Sequence, residues 1–331
     1  MPEQWNHTIF SLAEQGFEAL SLEIFRHQYL ANPVYKSYVD ALAVNPANIR
    51  KIEQIPFLPI RFFKSHTVIS GDFEPEAVFE SSGTTTTVNS RHYVNDASLY
   101  KESFTRGFEL FYGAAKEFCI IGLLPSYLER NSSSLVYMVN ELIIQSNHPQ
   151  SGFYLNEHER LVAMLQQLES QRQPTLLIGV TFALLDLAEK FSMPLQYTTV
   201  METGGMKGRR KEMIRAEVHD VLKRAFHVPV IHSEYGMTEL LSQAYSKGSG
   251  VFKSPPWMKI LVRDEEDPLY VRSSPANKHI TGAINIIDLA NIYSCSFIAT
   301  DDAGRLYPDG SFEVLGRLDN SDLRGCSLLT L

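Results

Sequence analysis

From residue 118 to residue 239 the sequence repeats one pattern: an apolar run, a polar break, then a stretch with apolar residues three and four apart. The apolar runs fall at 118–124, 174–180, 195–201 and 228–233, and helical periodicity covers 135–144, 157–170, 181–191 and 207–226. Strands alternating with helices imply a mainly parallel sheet covered on both faces, which is an α/β fold. Uninterrupted apolar strands fit that double burial. Ligands in such sheets bind beyond the carboxyl ends of the strands, so the segments at 125–134, 202–205 and 234–239 are where a site is expected.

The flanks read differently. Residues 8–30 have helical spacing, and Asn32-Pro33 stops them, since the residue before proline avoids the helical region. A short helix at 34–42, an irregular apolar segment at 52–63 containing Pro56 and Pro59, and a candidate strand at 68–70 follow. A helix at 98–112 ends at Gly113. Past residue 248 come short strands at 257–262, 269–272, 282–288, 296–299 and 312–315, with a turn at Tyr307-Pro308-Asp309-Gly310. The expected division is an α/β body over 1–247, a smaller antiparallel β subdomain over 248–319, and a hinge remnant and tail over 320–331.

Composition excludes several functions. The net charge is -8 and no long basic run exists, which argues against binding a nucleic-acid polymer through its phosphates. No apolar stretch reaches the ~18 residues of a spanning helix, so no membrane span is expected. Three cysteines, Cys119, Cys295 and Cys326, make no disulfide framework. No basic-then-apolar leader opens the chain, and a reducing cytoplasm is the expected compartment. No HExxH and no ligand-spaced Cys/His cluster supports zinc.

Four segments carry chemistry. In Glu80-Ser81-Ser82-Gly83-Thr84-Thr85-Thr86-Thr87, six of eight residues bear hydroxyls. Buried without partners these would cost free energy; in a loop they and the backbone N–H groups can converge on an anion. The run is not GxxxxGK[ST], and Arg91 and His92 are the basic residues nearby. Taken alone it reads as a solvated Ser/Thr loop; the later segments shift it toward an anion site. Thr203-Gly204-Gly205 allows a flat ligand close to the backbone, or simply turns a strand into a helix. In Tyr235-Gly236-Met237-Thr238-Glu239 a ring that can stack on a base, a hydroxyl for a phosphate and a carboxylate for Mg²⁺ lie within five residues. Finally, Asp302 in Thr300-Asp301-Asp302 can accept ribose hydroxyls, and Arg317 in Gly316-Arg317-Leu318-Asp319 can reach ribose or phosphate oxygens. Asp301-Asp302 alone also fits an acidic turn.

In this order the four segments resemble the motifs of adenylate-forming enzymes (acyl-CoA synthetases and AMP-acid ligases). Leu124-Pro125-Ser126-Tyr127-Leu128-Glu129-Arg130 and Asp288-Leu289-Ala290-Asn291 resemble the acyl-protein synthetases of bacterial bioluminescence, while Ile55-Pro56-Phe57-Leu58-Pro59 resembles both these and phenylacetate–CoA ligases. The resemblance implies ATP-dependent activation of a carboxylic acid to acyl-AMP, with pyrophosphate released and the acyl group passed to a thiol. By it, Ser81, Ser82, Gly83, Thr84 and Thr85 meet phosphates, Gly204 and Gly205 flank adenine, Tyr235 and Gly236 lie at adenine, Thr238 meets the α-phosphate, Glu239 holds Mg²⁺, and Asp302 and Arg317 hold ribose. The acyl pocket would include Tyr127, Phe182 and Met206. Departures stand at Thr86 and Asp301, where glycine is usual.

Typical members continue for roughly a hundred residues past the hinge, a normal size for an independent domain, with a lysine that assists adenylation. The sequence in hand runs about a dozen residues beyond Asp319. Two acceptors fit: CoA, and Cys326 beside Arg324, since acyl-protein synthetases use a cysteine near the C-terminus. Without that lysine either adenylation is slow or another protein supplies the group; the alternative of another class is a non-catalytic nucleotide- or acyl-binding subunit working with a reductase or carrier. An α/β hydrolase is disfavoured by the lack of GxSxG.

Overall fold

A computed structural model describes residues 3–81, 88–124, 132–154, 157–204 and 213–318. The N-terminal apolar stretch forms two helices rather than one, α1 (Glu3–Phe10) and α2 (Phe17–Ala31), joined through a 3-10 turn at Glu14–Gly16. They bury against different neighbours: α1 meets later elements, with Phe10 edge-on to Trp257 at 5.0 Å, while α2 packs on α3 (Pro33–Ala41). Asn32 is the shared boundary. It is extended, as a residue before proline should be, and its side chain accepts from Tyr35 N at 3.0 Å to cap α3.

The irregular apolar segment yields a short strand, β1 (Leu58–Pro59), and a single turn of helix, α4 (Phe62–Ser65). Residues 68–70 are not a strand; the Ser70 hydroxyl donates to Ser294 O at 2.5 Å instead of joining a ladder. The hydroxyl-rich run joins two strands of a hairpin, β2 (Ala77–Glu80) and β3 (Arg91–Val94), in register Glu80↔Arg91. The helix α5 (Ala97–Tyr112) follows, capped by Asp96 and closed by Gly113 as expected.

The repeat then unfolds as β4 (Cys119–Leu123), α6 (Ser134–Ser146), β5 (Gly152–Phe153), α7 (His158–Ser170), β6 (Thr175–Val180), α8 (Thr181–Lys190), β7 (Thr198–Thr203), α9 (Arg215–Phe226), β8 (His232–Tyr235) and β9 (Ala244–Ser246). Among the described residues these strands form one sheet in the order β5-β4-β6-β7-β8-β9, parallel except for β9. Every residue of β4 and β6 is buried, as strands covered on both faces require.

The remaining strands are β10 (Val251–Phe252), β11 (Met258–Arg263), β12 (Val271–Arg272), β13 (Ile280–Asp288), β14 (Phe297–Leu306) and β15 (Phe312–Arg317). They pair antiparallel in the order β10-β15-β14-β13-β11-β12, and β1 adds to β14 in parallel, Leu58 opposite Ile298. β14 is longer than the sequence suggests: Thr300 to Arg305 lies inside the strand, not in a turn. The turn signal at Tyr307–Gly310 does close β14 onto β15, with Tyr307 N bonded to Ser311 O at 2.8 Å. No helix among the described residues is long and apolar enough to cross a membrane.

Candidate active site

Two strand ends define the site. β7 ends at Thr203, and Gly204 follows at φ +69°, a left-handed conformation that glycine adopts without steric cost and that turns the chain out of the sheet. β8 ends beside it, with Thr203 opposite Glu234. Gly204 and the segment 235–239 therefore leave the sheet side by side.

Tyr235 lies between the two sheets. Its ring packs on Phe252 and Phe312, with centroids 5.8 and 5.5 Å away. Its hydroxyl donates to Asp302 Oδ2 at 2.8 Å. Asp302 stands opposite Arg317 across β14 and β15, and Arg317 Nε is 3.8 Å from Asp302 Oδ1. The pairing slips between Ala303 and Gly304, a bulge of the kind that re-aims side chains beside sites. Burial raises the pKa of Tyr235, reinforced by the Asp302 charge; burial also raises Asp302, against the Tyr235 hydrogen bond. The Tyr235 ring and hydroxyl, the Asp302 carboxylate and the Arg317 guanidinium are thus one contiguous group.

Thr238 and Glu239 occupy the turn after β8, and neighbours fix their backbone. His92 Nδ1 donates to Thr238 O at 2.9 Å, and since a carbonyl only accepts, Nε2 accepts from the Ser294 hydroxyl at 2.9 Å. Burial drives His92 down to about 4, so the ring stays neutral. Asn291 Nδ2 donates to Glu239 O at 2.8 Å. Asp288 accepts from Leu241 N and Ser242 N, both at 2.9 Å, and from the Ser242 hydroxyl at 2.6 Å. Burial lifts Asp288 to about 6, opposed by these donors. The Asp288–Asn291 motif, noted in the sequence only for its resemblance, is thus a brace under residues 239–242.

The Glu239 carboxyl is buried, which raises its pKa, against the polar side chain of nearby Ser90, which lowers it. Ser90 and Ser81 face each other at the hairpin mouth, Ser90 N to Ser81 Oγ at 2.9 Å and Ser81 N to Ser90 O at 3.0 Å. Ser90, at the hairpin mouth opposite Ser81, therefore lies beside the carboxylate expected to hold metal. Arg91 is paired with Glu80 at 3.0 Å and His92 is buried, so neither basic neighbour of the run is a free cation. Ser82, Gly83, Thr84, Thr85, Tyr127, Gly205, Met206 and Cys326 lie outside the described residues.

Sequence reasoning missed a buried layer behind these groups. Glu202 lies 3.4 Å from Arg215 Nε and 3.5 Å from His219 Nε2, and accepts from the Thr181 hydroxyl at 3.2 Å. Burial pulls Glu202 up, but His219 and Arg215 outweigh it and hold the carboxyl below its usual range. Thr181 also donates to Gly204 O at 2.8 Å, which ties the glycine turn to α8, whose next residue is the buried Phe182. The Arg215–His219 spacing of four on one helix was the available signal. Glu234 bonds the Thr203 hydroxyl, and burial pushes it up to about 7. A cleft of about 350 Å³ between α9 and β15, lined by Arg215, His219 and Glu313, lies beside this layer, away from Thr238 and Glu239.

The family model described as acyl-protein synthetase, LuxE, matches residues 10–330. No curated protein matches the chain. Among solved structures, 2-hydroxyisobutyryl-CoA ligase in complex with 2-HIB-AMP is 12% identical at a TM-score of 0.62, covering 93% of this chain and 68% of that one. ATP-bound MatB from Rhodopseudomonas palustris is 15% identical at a TM-score of 0.53, covering 73% of this chain and 48% of its own. O-succinylbenzoate coenzyme A synthetase (MenE) from Bacillus subtilis, in complex with ATP and magnesium, is 15% identical at a TM-score of 0.51, covering 77% and 55%. The chain spans about half the length of MatB and MenE, and at these identities the likeness is one of fold.

Proposed function

The chain belongs to the acyl-protein synthetase, LuxE, family, and on that premise we propose that it activates a carboxylic acid with ATP and passes the acyl group to a thiol. In the first step a carboxylate oxygen bonds to the α-phosphorus as the bond to pyrophosphate breaks. In the second a thiolate displaces AMP from the acyl-adenylate, leaving a thioester.

The observation that carries this reading is the convergence on residues 235–239. Asp302 bonds Tyr235, Arg317 lies beside Asp302, and Ser90 of the hairpin mouth lies near Glu239, though these groups come from four separate stretches of sequence. A nucleotide laid along this line meets a ring at its base, a carboxylate at its sugar and hydroxyls at its phosphates. We assign Tyr235, Gly236 and Gly204 to adenine, Asp302 and Arg317 to ribose, Thr238 to the α-phosphate, and the run beginning at Ser81 to the remaining phosphates. The subdomain proposed at 248–319 supplies the ribose contacts and the body at 1–247 the others.

Among the described residues no group of three or more His, Cys, Asp or Glu side chains could cage a metal. One hard carboxylate, Glu239, fits Mg²⁺, which usually binds through one or two carboxylates together with substrate phosphates. When bound, the ion would neutralise charge on those phosphates. The acceptor we propose is CoA or Cys326. Cys119 and Cys295 are free buried thiols, which fits a cytoplasmic setting.

Exchange of labelled pyrophosphate into ATP, run with a panel of carboxylic acids, tests the proposal. Exchange that depends on one acid class supports it. Nucleotide binding without exchange for any acid, alone or with an added carrier protein, overturns it in favour of a binding subunit.

A further inference from the structure

α4 carries a lysine to this site that no motif marked. The helix is wedged between the two halves of the nucleotide site. On one side Ile60 N donates to Ala299 O at 2.9 Å and Arg61 Nε pairs with Asp301 Oδ2 at 3.1 Å, one residue from Asp302. On the other the Phe63 ring lies edge-on to His92, with centroids 5.8 Å apart, and His92 holds Thr238 O. Lys64 follows Phe63. Its side chain is exposed, and among the described residues it makes no ion pair.

We propose that Lys64 is the cation that engages the β- and γ-phosphates of ATP, the part that leaves as pyrophosphate. The assignment rests on the adenylation reading above. Arg317 sits on Asp302, at the sugar end. Among the described residues the basic neighbours of the hydroxyl run are otherwise engaged, Arg91 with Glu80 and His92 neutral inside the fold. Of the described residues that leaves Lys64, which follows Phe63, whose ring lies on His92, two residues from Ser90 and bonded to Thr238 O. A flexible ammonium is suited to a phosphate tail as a mobile point charge. In adenylation the bond from the α-phosphorus to pyrophosphate breaks and its electron pair leaves with pyrophosphate. A cation there stabilises the charge as it develops.

The test compares affinities for ATP, AMP and pyrophosphate, each with Mg²⁺, in the full chain and in Lys64→Met and Lys64→Arg. Because Lys64 is exposed, unchanged urea midpoints are expected. Lys64→Met should weaken ATP and pyrophosphate by about tenfold or more, the usual worth of a charge-assisted contact. AMP should change less than about twofold, and Lys64→Arg should restore most of the loss. Unaltered ATP affinity in Lys64→Met, or equal weakening of ATP and AMP, overturns the assignment alone. A wild-type chain that binds neither nucleotide overturns the adenylation reading and this assignment with it.

Discussion

The Tyr235 hydroxyl donates to Asp302 Oδ2 at 2.8 Å, joining the end of the parallel sheet to the middle of the antiparallel one. Tyr235→Phe removes the donor and leaves a buried carboxylate short of a partner, which costs about 1–3 kcal/mol. Urea unfolding should show that loss, and calorimetry should show weaker AMP binding.

Arg317 gives the opposite balance. Its side chain is 86% exposed and sits 3.8 Å from Asp302, so Arg317→Ala should change stability by less than about 0.5 kcal/mol. AMP affinity should fall by about tenfold, the worth of one charge-assisted contact. A large stability loss with intact affinity would make Arg317 a structural residue.

Glu239→Gln keeps the shape and the hydrogen-bonding reach of the side chain. Pyrophosphate exchange should fall by about 100-fold or more, the scale for removing one electrostatic group from a transition state. The urea midpoint should move little. Equal loss of both would assign Glu239 to folding.

Glu234 makes a pH prediction. Its pKa is raised by burial from 4.5 to about 7, so the folded state binds the proton more tightly than the unfolded chain. Stability from this group is fully present below pH 4.5, declines as pH rises to about 7 and is flat above. Glu234→Gln cannot lose a proton. Its stability relative to wild type should therefore rise across that window, by up to about 3 kcal/mol, in denaturant titrations at pH 4.5, 6 and 8.

Cys326→Ser separates the two acceptors. If Cys326 takes the acyl group, the variant should form adenylate at the wild-type rate and retain none of a radiolabelled acid after denaturing gel electrophoresis. Thioester label that survives the substitution removes Cys326 from the reaction and leaves CoA.

The alternation of strand and helix was legible because strands buried on both faces must be apolar throughout, as β4 and β6 are. Arg91–Val94 was not, because two of its four residues are basic; its strand character depends on pairing with Ala77–Glu80 and on a place inside the fold for His92. Thr300–Arg305 looks like a turn, yet it is the middle of β14, where neighbouring strands override local preference and a bulge takes up the misfit. Tyr235, Asp302, Arg317 and the mouth of the hydroxyl run could be grouped from motif order alone. The braces Asp288, Asn291 and His92, and Lys64 on its wedge, act across long sequence separations, which no local pattern encodes.

The pairing of Leu58 with Ile298 reaches past the chain's own making. Arg61 must find Asp301, 240 residues later, and Gln28 donates to Asn291 O, 263 residues on. A ribosome delivers the early apolar segment long before its partner strand exists. Contacts this distant form slowly, and the waiting surface is open to aggregation. Chaperone demand during translation should therefore fall on the first sixty residues, and stalling synthesis before residue 298 should leave them sensitive to protease.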